Sequence, residues 1–354
     1  MRIILFCEQK YAISILRPID LRAREEGGHE ILWYVHRENI PTFPLEKDVR
    51  WTSDMQEVYD FSPEAIYVPC NIVPYYLPGV KIYTFHGYAT EKKRGWHIRG
   101  YFDMYCTPGP YFTSRFREMA REYGNFEVAE TGWPRQDWIF RHLCDFDEEK
   151  ARLLAVHGKK KLVLYAPTFS PSLTSLPRMK EELLRLAREK DILLFLKFHP
   201  LTRQEWIDMY KPLAEEYENI VWRDDHDISK CLLMADVMIS DTSSAVYEFL
   251  LLDKPVITLN SIAEKIYWNN ITEPGQLSAA FDDTLADKHA LERKWFRENY
   301  DPYLDGLVGK RMLDAARDYI ARHGVPSCRK MNLWRKFACL KRFGRVSRSV
   351  KKGK

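Results

Sequence analysis

The 354 residues are 45% hydrophobic and 29% charged, too apolar for a disordered chain and long enough for two domains. The formal net charge of +4 hides an asymmetry: residues 329–354 hold eleven Lys or Arg and no acid, so the rest of the chain is net acidic, which argues against a nucleic-acid-binding protein. The seven cysteines are scattered without a CxxC pair or a His/Cys cluster, so the simple reading is a reduced cytosolic protein without structural zinc.

Residues 2–7 are a short apolar run followed by Glu8, Gln9 and Lys10, a first buried strand rather than a secretory leader. No apolar run is long enough to cross a bilayer. Residues 13–26 read as a helix broken near Pro18 and stopped by Gly27 and Gly28, and residues 30–35 as a second strand. This βαβ opening lacks GxGxxG, so a dinucleotide is not expected there. Strands follow at 65–68 and 81–85, separated by Pro69, Pro74, Pro78 and Gly79. His86 and Gly87 come directly after the second of them, with Lys92, Lys93 and Arg94 within one loop. A general base beside an anion-binding loop fits this pattern; a solvated basic loop that happens to hold a histidine fits it too. A strand at 104–107, a mixed-charge helix at 113–123 and a strand at 128–131 lead to the turn Gly132, Trp133, Pro134, Arg135, Gln136, Asp137. The boundary is placed here, giving domains at 1–135 and 136–326 and a tail at 327–354.

A charged helix at 146–157 precedes a strand at 162–165, then Ala166, Pro167, Thr168, Phe169 and a loop rich in Ser, Pro and Thr, the composition of a site loop. A helix at 180–189 and a strand at 192–197 end at Lys197, Phe198, His199 and Pro200, the proline holding His199 extended. A helix at 206–217 and a strand at 220–222 follow. Residues 226–259 organise the second half. Asp227 can cap a helix, 237–239 is a strand, Asp241, Thr242, Ser243 and Ser244 form a polar turn, 245–252 is a helix and 256–259 a strand. That succession is a parallel α/β layer. Its hydroxyls sit outside the carboxyl end of a strand and at a helix start, where such sheets bind ligands and hold phosphates. Ser243 as a simple helix cap is the alternative. Asp241 is expected to orient the turn rather than touch phosphate, since like charges repel. Glu248 lies one turn on, near the face of Ser244, suited to accept from ribose hydroxyls. Residues 281–287 read as an acidic spacer, and 291–299 and 309–322 as helices expected to pack back on the body.

In the tail, Trp334, Phe337, Ala338 and Leu340 can share one helical face, with Arg335, Lys336, Lys341 and Arg342 on the other side. A cationic amphipathic segment of this kind suits an anionic membrane surface. A disordered basic tail, or a helix docked on the acidic body, is the plainer account.

Five blocks in order bring a resemblance: His86-Gly87; the Gly132 to Asp137 turn; Leu164-Tyr165-Ala166-Pro167-Thr168; Lys197-Phe198-His199-Pro200; and 235–255 with Ser240 to Ser244 and Leu251 to Pro255. Asp305-Gly306 with Arg311 looks like a closing turn. Together the blocks resemble the CDP-glycerol glycerophosphotransferase family of teichoic-acid and capsule polymer synthesis. The resemblance implies two Rossmann-like domains facing a cleft (GT-B-like), with the nucleotide held mainly by the C-terminal one. It implies transfer of a polyol phosphate, glycerol phosphate first, from a CDP-polyol to a hydroxyl of a glycan or lipid-linked acceptor, releasing CMP, without cofactor or metal. Such an enzyme would sit peripherally on the inner face of a cell membrane. His86 is then the proposed base and His199 the second catalytic group; Lys92, Lys93, Arg135, Asp137, Thr168, Lys197, Asp241, Ser243, Ser244 and Glu248 are the expected substrate-binding set. The sequence departs from the family where His-Gly-Thr-Pro-Leu-Lys is usual: here Tyr88-Ala89-Thr90-Glu91 follow, with Lys92 one place late. That departure leaves room for another polyol or acceptor. A GT-B nucleotide-sugar glycosyltransferase or a UDP-sugar 2-epimerase is the rival enzyme, and a non-enzymatic membrane adaptor the third reading.

Overall fold

The computed structural model describes residues 1–88, 96–225 and 227–347. The chain forms two compact units. The first comprises Met1–His86, His97–Arg141 and the chain from Tyr300 onward; the second is His142–Asn299 with Gly87, Tyr88 and Trp96. The first boundary thus falls near the expected turn, but the chain returns to the first unit at Tyr300 rather than closing the second domain at 326.

The first unit is a seven-stranded parallel sheet. Its strands are β1 (Arg2–Cys7), β2 (Glu30–Val35), β3 (Trp51–Thr52), β4 (Ala65–Val68), β5 (Val80–Tyr83), β6 (Met104–Thr107) and β7 (Glu127–Glu130). Their order across the sheet is β3-β2-β1-β4-β5-β6-β7. The second unit holds six parallel strands: β8 (Lys161–Tyr165), β9 (Ile192–Leu196), β10 (Ile220–Trp222), β11 (Val237–Ser240), β12 (Val256–Leu259) and β13 (Asn269–Ile271), ordered β10-β9-β8-β11-β12-β13. The central strands read as continuous apolar runs because helices cover both faces of a parallel sheet. Each unit is Rossmann-like, and the fold is the GT-B-like double-Rossmann class. The direction of strand addition reverses between β1 and β4 in the first unit and between β8 and β11 in the second. At such reversals the connecting segments diverge and leave a crevice at the carboxyl ends of the strands.

The sequence expectations differ from the structure at a few elements, each with a physical cause. The helix Ala12–Glu26 runs through Pro18 without breaking. Its Ile15, Leu16, Ile19 and Ala23 are buried, and Gly309 approaches the Pro18 carbonyl so closely that a Cβ would lie 3.3 Å from it. Packing on this face outweighs the one backbone hydrogen bond that proline removes. The expected helix at 206–217 is two pieces, Gln204–Tyr210 and Leu213–Glu216, interrupted before Pro212. The acidic spacer is largely the helix Leu277–Leu285, with Leu277, Ala280 and Phe281 buried. The two strands not foreseen, β3 and β13, are edge strands of two and three residues, too short to show a period.

The helix Val308–His323 belongs to the first unit because its inner face, Val308, Met312, Leu313 and Ala316, enters the core of the first sheet. Three of those side chains are large, so their burial contributes on the order of 5 kcal/mol as an upper estimate. The Gly132 to Asp137 turn clamps the start of this helix. The Asp137 carboxylate accepts from Val308 N (2.9 Å) and Gly309 N (2.7 Å), and Trp133 N donates to Asp301 (2.9 Å). Gly132, at φ +88°, has no room for a side chain: a Cβ would lie 2.7 Å from Val308.

The basic tail forms the helix Leu333–Phe343, docked on the first unit. Phe343 packs edge-on against Phe6 at 5.5 Å, Cys339 is buried against Val73, and Arg342 pairs with Glu8. Upstream, Arg329 pairs with Asp103 at 2.6 Å. The face division differs from the expected one. Cys339 and Phe343 point inward and Leu340 is half-buried beside them, while Leu333, Trp334 and Phe337 are exposed, Trp334 by 85%. Arg342 therefore serves the docked side, and Lys341 remains on the outside.

Candidate functional site

In the first unit the candidate site lies at the carboxyl ends of β1, β4 and β5. β5 ends at Tyr83, and the chain then turns sharply. Phe85 adopts φ +59°, uncommon for a bulky residue and a form of strain that needs support. The support is visible: the Phe85 ring packs against Tyr83, Phe112 and Phe116, and its carbonyl accepts from Trp133 Nε1 (3.4 Å). This turn sets the His86 imidazole at the sheet end, solvent-accessible. His86 Nδ1 lies 3.0 Å from the buried Tyr83 hydroxyl, which is 3.3 Å from Asn71 Oδ1; Arg99 donates to the same Oδ1 at 2.8 Å. Tyr11 stands beside His86, with ring centroids 6.0 Å apart, and its hydroxyl contacts Cys70 Sγ at 3.6 Å. Glu8 follows β1 and Cys70 follows β4, so both lie at the reversal of strand order. Burial raises the Glu8 carboxyl above its ordinary value, opposed by the Arg342 guanidinium.

In the second unit the loops after β8, β9 and β11 converge. Asp241 is buried at the end of β11 and holds the loop after β8 across the strand-order reversal. Its Oδ1 accepts from Thr168 N (2.8 Å), and its Oδ2 from Ser175 N (2.7 Å) and the Ser175 hydroxyl (2.8 Å). Burial pushes its carboxyl up to about 6 against the pull of these donors. His199 follows β9, stacks on Phe169 with centroids 4.4 Å apart, and is exposed. Its Nδ1 accepts from Leu201 N (3.1 Å), which places the proton of the neutral ring on Nε2. Lys197 is buried, donates to the Phe198 carbonyl (2.9 Å), and burial lowers its pKa. Ser244 is exposed and Ser243 partly so, just ahead of the helix Ala245–Leu251; Ser243 Oγ accepts from Ala245 N at 3.4 Å. Glu248 is buried on that helix. Among the described residues, no group of three or more His, Cys, Asp or Glu is placed to hold a metal.

A family model described as CDP-Glycerol:Poly(glycerophosphate) glycerophosphotransferase matches residues 78–265, just over half of the chain. The chain belongs to this family. Among relatives, the teichoic acid glycerol-phosphate transferase of Staphylococcus aureus is 29% identical over 182 residues, 48% of this chain and 43% of the relative. The chain spans less than half the length of the teichoic acid transferases and polymerases it matches. Among solved structures, the wall teichoic acid polymerase TagF aligns with TM-score 0.65 at 17% identity, covering 91% of this chain and 89% of that one. A putative UDP-N-acetylglucosamine 2-epimerase from Listeria monocytogenes aligns with TM-score 0.66 at 13% identity, covering 94% and 99%. Identities this low report the shared fold. The family match separates the glycerophosphotransferases from the epimerases.

Of the residues singled out in the sequence, Thr168, Lys197, His199, Asp241, Ser243 and Ser244 follow the carboxyl ends of β8, β9 and β11 in the second unit. Thr168 contributes its backbone, not its hydroxyl, to the Asp241 network. In the first unit, Arg135 lies over the Trp133 ring at 5.7 Å and donates to Ser14 Oγ at 3.4 Å. Each Asp137 oxygen accepts from the start of the helix Val308–His323, which gives this residue a capping task. Lys92 and Lys93 lie outside the described residues. Sequence reasoning passed over Tyr11, Asn71, Tyr83 and Arg99 around His86, and Ser175 beside Asp241. Two of them carried a signal: Tyr83 by its place in the strand that precedes His86, and Ser175 by its place in the loop rich in Ser, Pro and Thr. Asn71 and Arg99 reach the site from loops 12 residues before and 16 after Tyr83.

Proposed function

We propose that this chain transfers a polyol phosphate, with glycerol phosphate the favoured group, from a CDP-polyol to a hydroxyl of a glycan or lipid-linked acceptor, releasing CMP. One observation carries the reading: the family match takes in His86, His199 and the Asp241 to Ser244 turn in one stretch. The teichoic acid relatives supply the substrate class by extension.

The chemistry follows from the side chains. A neutral alcohol is a poor nucleophile, so its proton must leave as its oxygen bonds to the β-phosphorus of the CDP-polyol. His86 takes that proton, having the right ordinary pKa near neutrality. The phosphorus–oxygen bond to CMP breaks, and its electron pair leaves on the CMP phosphate. His199, with its proton on Nε2, donates a hydrogen bond to that developing charge. Ser243 and Ser244 add hydroxyl donors to the donor phosphates, the buried Lys197 adds positive charge nearby, and Glu248 accepts from the ribose. Lys92, Lys93 and Arg135 supply positive charge for acceptor or donor phosphate. Asp241 fixes the loop that carries Thr168. The exposed Leu333, Trp334 and Phe337, beside Lys341, form the face that meets an anionic membrane carrying the acceptor.

The test is nucleotide release with CDP-glycerol, CDP-ribitol and UDP-N-acetylglucosamine, each with a teichoic-acid-type acceptor. CMP release from a CDP-polyol with acceptor elongation is the expected result. UDP release or epimerisation, without CMP release, would overturn the proposal in favour of sugar chemistry.

A further inference from the structure

We infer that Tyr83, held by Asn71 and Arg99, is a positioning residue that fixes the proton of neutral His86 on Nδ1 and leaves Nε2 as the basic nitrogen. The inference deepens the proposed function, since it rests on His86 acting as a base, but its geometry stands apart from any substrate. Counting protons along the chain of contacts gives the direction. A guanidinium has only donors, so Arg99 at 2.8 Å requires Asn71 to present its carbonyl oxygen rather than its amide nitrogen. That oxygen has a second lone pair, and the Tyr83 hydroxyl donates to it at 3.3 Å. Tyr83 has a single proton. Once that proton is directed to Asn71, the phenol oxygen faces His86 Nδ1, at 3.0 Å, as an acceptor. Nδ1 must then carry hydrogen. The opposite polarity would put hydrogen on Nε2 and remove the lone pair that a base needs.

The environment reinforces the choice. Tyr83 is buried, and burial raises its pKa, opposed by the Arg99 charge, so it stays a neutral phenol throughout the working pH range. A neutral acceptor on Nδ1 orients the ring as the carboxylate of a Ser-His-Asp triad does, but without stabilising the imidazolium as strongly. The Tyr83 ring is fixed by Phe85, Phe102 and Tyr105, with centroids 4.7, 4.8 and 5.5 Å away, so the hydroxyl has little freedom to wander.

The experiment uses the full chain labelled with nitrogen-15 at histidine, with His86→Gln to assign the signals. In the wild-type protein, above the pH at which His86 titrates, the His86 shifts should report protonated Nδ1 and unprotonated Nε2. Tyr83→Phe keeps the ring and removes the hydroxyl, and should shift part of the His86 proton population from Nδ1 to Nε2. Asn71→Ala keeps the hydroxyl but removes its acceptor, and should move the proton towards Nε2. In CMP release from CDP-glycerol, Tyr83→Phe should lower kcat at least about tenfold with KM for the donor unchanged, because the tautomer governs proton abstraction and not binding. A wild-type His86 with its proton on Nε2, or a Tyr83→Phe protein with unchanged tautomer, would overturn the inference. A wild-type protein inactive on every CDP-polyol would overturn the proposed function instead, while the tautomer measurement would still decide this one.

Discussion

Replacing Asp241 by Asn should stabilise the second unit at neutral pH, by an amount that disappears on acidification. The carboxylate is buried and accepts three hydrogen bonds, from Thr168 N, Ser175 N and the Ser175 hydroxyl. Those donors favour the charged form, yet burial outweighs them and pushes the carboxyl up to about 6 from the ordinary 3.8. At about 1.4 kcal/mol for each unit of pKa, ionised Asp241 at pH 7 lowers the native state's stability by about 2–3 kcal/mol relative to its protonated form. Asn has the shape and the neutral charge of the protonated acid, so the two proteins should be close in stability below pH 4. An acid whose folded pKa is raised binds its proton more tightly in the native state. Its contribution is full below the unfolded pKa and is lost as pH rises through the folded one, here between about pH 4 and 6. Urea unfolding of both proteins from pH 4 to 7.5, followed by a probe in the second unit, should show curves that converge in acid and separate above it. Amide exchange should locate the functional cost: with a single acceptor oxygen, Asn leaves either Thr168 N or Ser175 N poorly held, and that amide should exchange faster. An Asn protein that is less stable than wild type at pH 7, with a gap that stays constant across the window, would refute the reasoning. It would mean that the three donors outweigh burial. A confirmed gain would mark Asp241 as a residue kept for the loop it positions at the expense of stability.

Replacing His86 by Ala should cut CMP release about 100-fold or more at saturating substrates, with CDP-glycerol affinity little changed; near-normal turnover would end its role as base. Ser243→Ala with Ser244→Ala should weaken CDP-glycerol binding about tenfold or more by calorimetry, since hydrogen bonds to a charged group contribute about 1.5–3 kcal/mol each. Unchanged affinity would leave Ser243 as a cap for Ala245. Trp334→Ser with Phe337→Ser should lower sedimentation with anionic vesicles while leaving the melting temperature in place, since both side chains face outward; equal sedimentation would reject the membrane face. Asp137→Ala should destabilise the first unit by about 2–4 kcal/mol in urea unfolding, because two backbone N–H groups at a buried helix start lose their acceptor. A loss below about 0.5 kcal/mol would show that the cap is dispensable.

The sequence by itself determined the local elements and the chemical class. Mostly apolar runs of three to six residues, stopped by Gly, Pro and polar turns, located eleven of the thirteen strands, because burial on both faces of a parallel sheet demands such runs. Their alternation with helices required parallel sheets, and it set His86, His199 and the Asp241 turn at strand ends. Short-range physics is written in neighbouring residues, so it can be read there. The tertiary structure decided what depends on contacts distant in sequence. Strand order placed the crevices between β1 and β4 and between β8 and β11, and no local pattern encodes that order. Pro18 stays within a helix whose buried face packs on the body, with Gly309, nearly three hundred residues on, close against its carbonyl. Asp137 reads as a polar turn residue in the sequence, and only the fold brings the start of the helix Val308–His323 to its carboxylate. The tail's outward face differs from the expected one because Phe6, Glu8 and Val73 select which side docks. Around His86, Asn71 and Arg99 meet Tyr83 only because separate loops close over the same strand end, so the groups that set the proton on a histidine are fixed by folding and not by spacing.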